Sequence, residues 1–324
     1  MGDPLFFVGM ILAAFAGGLF GAALGSLPSF VFTGFAVIAG ESLRLAGGEG
    51  GVIAAMGTTG ITGQIAFGAF FGPHIAFAGG AAASAYAAKK GYITDTNWGY
   101  HHGKNILVGV GARHNDVLFV GGAFGILGYL VFLTSSTLSA PWDPIAMGVV
   151  LSAVAHRVFL GYDLVGTVRG DGLLDVGPFE REETYATDGT DGAPEERLRV
   201  EPWLPWMYEW SGVTLIGFGA GILGGFTYWA TASPYLGFGI SAASLVFLNL
   251  GIYDDFGAFH LPVPVTHHVT LPASTAVMAY AGMDLSGVTA EAVQAQVTVT
   301  EAVLVGAIFG ILGALFGELL ERIF

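Results

Sequence analysis

Residues 52–88 read VIAAMGTTGITGQIAFGAFFGPHIAFAGGAAASAYAA. The stretch is apolar enough for a bilayer, yet Gly, Pro, Thr and His interrupt it too often for one uninterrupted span. A second stretch of the same kind, FGAFHLPVPVTHHVTLPASTAVMAYAG, occupies 256–282. Each reads as a pair of short membrane segments around a non-helical break, and how these segments run sets the direction of every element that follows.

The rest of the chain says that a membrane is the right solvent. Hydrophobic residues make up 53% of it and charged residues 11%, against roughly 25% charge in a soluble domain. The mean hydropathy is +0.67. Apolar runs at 5–25, 28–47, 114–134, 141–161, 211–231, 234–252 and 301–323 each suffice to cross about 30 Å of hydrocarbon. The expectation is an all-α, Gly-rich polytopic bundle of about seven spans plus the two broken segments. The first run follows Met1-Gly2-Asp3-Pro4 without a basic leader and reads as a span, not a cleaved signal.

The chain repeats itself. FVGGAFGILGYL at 119–130 returns as LVGAIFGILGAL at 304–315, and His74 and Tyr86 precede His268 and Tyr280 by a constant 194 positions. GGLFGAALGSLPSF at 17–30 parallels AGILGGFTYWATASPY at 220–235. The expected domains are a first membrane repeat at 1–134, an additional span at 135–168, an acidic aqueous segment at 169–208 and a second repeat at 209–324. Lys89, Lys90, Lys104 and Arg113 share one loop, and Arg169, Arg181, Arg197 and Arg199 another. The positive-inside bias places both loops in the cytoplasm. With each broken segment entering and leaving by one face, the N-terminus is then cytoplasmic, the C-terminus extracellular and the duplication parallel.

Glycines at helical spacing, Gly17, Gly21 and Gly25, Gly121 and Gly125, Gly306 and Gly310, let helix backbones approach in lipid, where hydrophobic drive is weak. So much small-residue surface suggests a homo-oligomer. In the broken segments, backbone that leaves the helix needs polar company. Thr58, Thr59, Thr62, Gln64 and His74 in the first, and Thr266, His267, His268 and Thr270 in the second, could replace the water shell of a small cation. Glu41, Asp163, Asp254 and Asp255 lie near span ends and read as carboxylates at a cytoplasmic mouth.

Other classes of function find no support. Ten of the 25 acids fall in 169–201, which suits a halophilic, archaeal-type protein facing high salt and excludes nucleic acid as a partner. There are no cysteines. His101, His102, His114, His267 and His268 lack the spacing of a metal site. No enzyme motif occurs, so no catalytic residue, metal or cofactor is expected, and the partners are the lipid bilayer, a small cation and other copies of the chain. The reading is a cation channel or transporter, with a non-transporting scaffold that packs through Gly-rich faces as its rival.

MGDPLFFVGMILAAFAGGLFG at the start, GVTLIGFGAGILGGFTYW at 212–229 and GYDLVGTVRGDG at 161–172 resemble the small integral D-type subunits of the sodium-pumping methyltetrahydromethanopterin:coenzyme M methyltransferase. The resemblance implies a Gly-rich bundle assembled as a trimer and associated with sodium movement. Methyl transfer belongs to other subunits of that complex, so nothing catalytic carries over.

Overall fold

The structure, a computed structural model, describes residues 4–47, 56–93, 101–106, 109, 114–189, 195–202, 209–249, 263–284 and 288–323, with side chains at all of these except 4, 56–59, 248–249 and 263–269. Helices dominate. Five are long and apolar enough to cross a membrane: Leu5–Leu24, Ser26–Gly47, Asn115–Thr137, Trp210–Thr231 and Val299–Ile323. The run at 141–161 forms a shorter apolar helix, Pro144–Leu160, and the run at 234–252 is divided into Leu236–Ser244 and Val246–Asn249.

In chain order the elements are α1 (Pro4–Leu24), α2 (Ser26–Gly47), the π-helix α3 (Met56–Ala66), and α4, which opens as a π-helical turn (Pro73–Phe77) and continues as an α-helix (Ala78–Lys89). Then come α5 (Asn115–Thr137), α6 (Pro144–Leu160), α7 (Gly177–Glu180), the strands β1 (Thr184–Ala186) and β2 (Glu196–Leu198), and α8 (Trp210–Thr231). The chain ends with α9 (Leu236–Ser244), α10 (Val246–Asn249), α11 (Val263–Tyr280), α12 (Ala290–Gln296) and α13 (Val299–Ile323). Two compact units result: Met1–Thr33 with Gln64–Glu201 and Phe324, and Gly34–Gly63 with Pro202–Ile323.

The first unit is built around α4. Alanines fill its buried face, among them Ala82, Ala83, Ala85, Ala87 and Ala88, so neighbouring helices reach its backbone. Gly17 and Gly21 of α1 have no room for a Cβ because Phe70 O and Ala76 O stand 2.2 and 1.9 Å from where it would be. Gly18 instead meets α5, its Cβ position lying 2.1 Å from Gly121 O, and Gly125 meets Ala14 O at 2.3 Å. Residue numbers rise together along α1 and α4, and fall along α5 as they rise along α1. Hence α1 and α4 run the same way and α5 runs against them.

This corrects the expected path of the first broken segment. A break does occur, at 67–72 between two helical arms, but its second arm does not return to the face from which α1 starts. Ser26 Oγ donates to Phe77 O at 2.7 Å, and the Leu27 amide donates to Ile106 O at 2.8 Å. The lysine-bearing loop therefore sits at the α1–α2 corner, where Gly25 (φ +104°) turns the chain. The physical cause is the glycine stripe of α1, which accepts α4 lengthwise as a further rod of the bundle.

The second unit uses the same device. Gly221 of α8 meets Gly306 O at 2.2 Å, Gly310 of α13 meets Gly217 O at 2.2 Å, and Gly224 meets Thr270 O of α11 at 2.4 Å, each from its Cβ position. The second half of α2 also belongs to this unit, where Gly34 faces Ala242 and Ala243, and Gly239 faces Val37. These pairs run in opposite order, so α2 and α9 lie antiparallel, against the expectation that the second and sixth apolar runs pass the same way. Of the second broken segment, 263–280 is one helix containing Pro272, and 256–262 lie outside the described residues.

Candidate functional site

The α2 sequence is apolar until Glu41, and Arg44 follows three positions later, on the same helical face. Glu41 is fully buried. A lone carboxylate there would cost several kcal/mol, so its partners matter. Oε2 accepts from Arg44 Nε at 2.9 Å and from Ser233 Oγ at 2.7 Å, while Oε1 accepts from Thr62 Oγ1 at 2.8 Å. The guanidinium spends a further donor on Thr231 O at 2.7 Å.

Local structure places each of these groups. Helix α8 ends at Ala232, whose φ of +51° puts a non-glycine residue in the left-handed region, a conformation that costs roughly 1–2 kcal/mol. That turn exposes Thr231 O to Arg44 and brings Ser233 to the start of α9, where its Oγ also accepts from the Leu236 amide at 3.0 Å. Thr62 arrives on the π-helix α3. Helical turns of this kind are rare and concentrate at functional sites. Further along α9, Ser241 pairs with buried Thr270 at 3.3 Å, and Ser274 donates to Pro234 O at 2.7 Å.

The expected site residues therefore meet only in part. Glu41 and Thr62 come together, joined by Arg44, Thr231 and Ser233, which the sequence reading did not single out. Glu41 sits at the first turn of α9, beside Ser233. Asp254 and Asp255 lie outside the described residues, as do the side chains of Thr58, Thr59, Thr266, His267 and His268. Gln64 and Asp163 are exposed.

His74 is buried in the first unit. Three glycines make room for it: a Cβ on Gly128 would lie 1.6 Å from its carbonyl oxygen, one on Gly148 2.6 Å from its Cβ, and one on Gly72 2.7 Å from Nδ1. The ring of Phe132 lies 5.0 Å away, centroid to centroid.

Outside the helices of the first unit, Glu201 ties the acidic segment to the lysine loop. It accepts from the His101 amide at 3.1 Å and pairs with Lys104 at 3.3 Å and with Arg197. His101 Nδ1 accepts from the Gly103 amide at 3.0 Å, which requires a neutral imidazole there. Burial, and then Arg197 nearby, lower its pKa to about 4. The unfolded chain titrates near 6.5 and so binds more protons between those values, and stability falls as pH drops through that window. Hydrogen exchange at Gly103 and at 184–201 is expected to accelerate between about pH 6.5 and 4, and His101→Asn, which keeps an acceptor without a titrating ring, should flatten that dependence.

The chain belongs to a family of unknown function (DUF7973), whose model matches residues 2–324. No curated protein and no solved structure matches it.

Proposed function

We propose that this member of the family is an integral membrane channel or transporter for a small cation, sodium, potassium or proton, and that Glu41 is its central cation-binding group. The observation that carries the reading is a fully buried carboxylate among apolar helices, gathered with Thr62, Arg44 and Ser233. Ionisable groups at membrane depth are expensive and mark ion paths more often than they mark packing. Arg44 acts as a tethered competitor: an arriving cation takes its place on Glu41, and Arg44 returns when the cation leaves. Thr62 on the first broken segment and Ser233 supply neutral oxygens of the kind that replace a hydration shell. Asp163 exposed after α6, and Asp254 and Asp255 after α10, are proposed for the cytoplasmic mouth. The likeness to the methyltransferase D-type subunits makes sodium the first cation to try and a trimer the proposed assembly.

The test is flux into sealed liposomes holding the purified protein. Wild type should pass one of the three cations at least tenfold faster than empty vesicles, and Glu41→Gln should return to the empty-vesicle rate. Wild-type vesicles as tight as empty ones would defeat the proposal. So would a Glu41→Gln variant with the wild-type rate. The scaffold reading draws less support, because Gly17, Gly18, Gly21, Gly121, Gly125, Gly306 and Gly310 already press on partners inside their own units.

The same crossings in each unit, Gly18 on Gly121 and Gly221 on Gly306, support descent from a duplicated segment. An orientation follows from the basic residues. The α1–α2 corner carries the lysine loop, and Leu160 O accepts from Lys89, which puts Arg157 at that end too. Lys89, Lys104 and Arg157 of the first unit fall on that face, and the positive-inside bias makes it cytoplasmic. The proposed N-terminus is thus extracellular. The chain has no cysteine, so single cysteines at position 2 and in place of exposed Lys90 report cleanly: an impermeant thiol reagent outside intact cells should modify the first and spare the second.

A further inference from the structure

Four buried polar atoms of the first unit have no hydrogen-bond partner among the described residues: His74 Nδ1, Ser152 Oγ, His156 Nδ1 and, in the lysine loop, His102 Nδ1. The first three are not scattered. Gly148, Ser152 and His156 stand at successive four-residue steps on α6, hence on one face and about 12 Å from end to end. Gly148 is the residue that touches His74. The stripe therefore begins at His74 at the N-terminal end of α4 and follows α6, which runs alongside α4, toward Tyr162. There the Tyr162 phenol donates to Ala85 O at 2.9 Å, and its ring meets that of His101 edge-on at 5.5 Å.

A buried donor or acceptor left unpaired costs about 1–3 kcal/mol, and three in one line would be a heavy penalty for a helix with no use for them. Buried polar groups with no protein partner are ordinarily satisfied by ordered water. Imidazole and hydroxyl are also the two neutral side-chain groups that can accept a proton on one side and give one up on the other.

We propose that His74, Ser152 and His156 form a hydrated proton relay through the first unit. The inference rests on the transport reading and names the proton as one cation moved. In each step an imidazole takes a proton on one ring nitrogen and releases one from the other, and the hydroxyl accepts one and gives up its own. Every group ends neutral, with one proton passed along, and reorientation of rings and waters resets the line. Few groups oppose the traffic: Tyr129 of α5 packs with Ile75 beside His74, Arg157 adjoins His156 on α6, Phe124 of α5 lies 6.2 Å from the His156 ring, and Lys89 of α4 reaches Leu160 O at the cytoplasmic end.

The experiment uses the full-length protein in liposomes loaded with a pH-sensitive dye, driven by a potassium diffusion potential, with sodium and potassium uptake measured in parallel. Wild type should acidify the lumen at least tenfold faster than empty vesicles. His74→Gln and His156→Gln should fall to the empty-vesicle rate and Ser152→Ala several-fold, each eluting as a single species from a sizing column. Full proton movement in the histidine variants, or sodium or potassium movement without protons in wild type, overturns the relay and leaves the transport reading standing. Vesicles impermeant to all three cations defeat both. Independently, protein labelled with ¹⁵N-histidine should show exchange between water and the His74 and His156 rings by solid-state NMR, assigned through the Gln variants, and rings that exchange with no water overturn the hydrated stripe whatever the fluxes.

Discussion

Replacing Gly128 by alanine is expected to cost the first unit at least about 3 kcal/mol, the upper part of what overpacking does to a well-filled core. The added carbon would lie 1.6 Å from His74 O, far inside any van der Waals contact. The obstacle is backbone and not the end of a flexible side chain, so no rotamer change relieves it. Either α4 moves away from α5 along its length or the π-helical turn that begins α4 unwinds. Gly9, Gly219 and Gly317 are the controls, because nothing lies within 4 Å of a Cβ at any of them. Alanine there should be neutral or stabilising by up to about 1 kcal/mol, the entropic cost of glycine in a helix. Thermal stability in detergent, followed by loss of the sizing-column peak, separates the two groups. A Gly128→Ala protein that melts with the controls would mean that α4 and α5 do not meet at His74.

Arg44→Ala should be comparably damaging, by about 3–5 kcal/mol, because it leaves a buried carboxylate without its counter-charge. At the few degrees per kcal/mol expected for a chain of this size, the melting point falls by at least about 5 °C. The loss belongs to the stranded charge more than to the vanished contact, and a double change shows it: Glu41→Leu with Arg44→Met removes both charges and should recover most of the stability while abolishing cation flux. Should the double variant melt as low as Arg44→Ala, shape and not charge would be what Arg44 contributes, and its role as a tethered competitor would lose its basis.

Composition and apolar run length made the helical membrane architecture legible, and glycine spacing pointed to the right contact surfaces. It assigned their partners less well. Gly121 and Gly125 meet α1 through Gly18, whereas Gly17 and Gly21, at the spacing that caught attention, receive the broken segment. The direction of that segment was beyond reach for a physical reason. A Gly- and Ala-rich stretch buried all round has no amphipathic asymmetry to orient it, and the positive-inside bias is satisfied equally by a chain that re-enters and by one that crosses with the N-terminus outside. Glu41 was visible as a carboxylate near a span end, but Ser233 lies 192 positions away, and no local pattern announces that pairing. Ser152 and His156 sat in a run whose interest seemed exhausted by its hydropathy, since only a neighbour such as His74 turns a helix face into a line of polar atoms.

One further consequence concerns the lipid. With 17 residues, α6 spans about 25 Å, some 5 Å short of an average hydrocarbon layer, and its outward side chains Val150, Leu151, Val154, Val158 and Phe159 are bare. Trp142 just before it and Tyr162 just after it are aromatic anchors that settle at headgroup depth. In the proposed membrane setting the bilayer would thin along this flank, so shorter acyl chains should gather there and thicker membranes should strain the protein at α6.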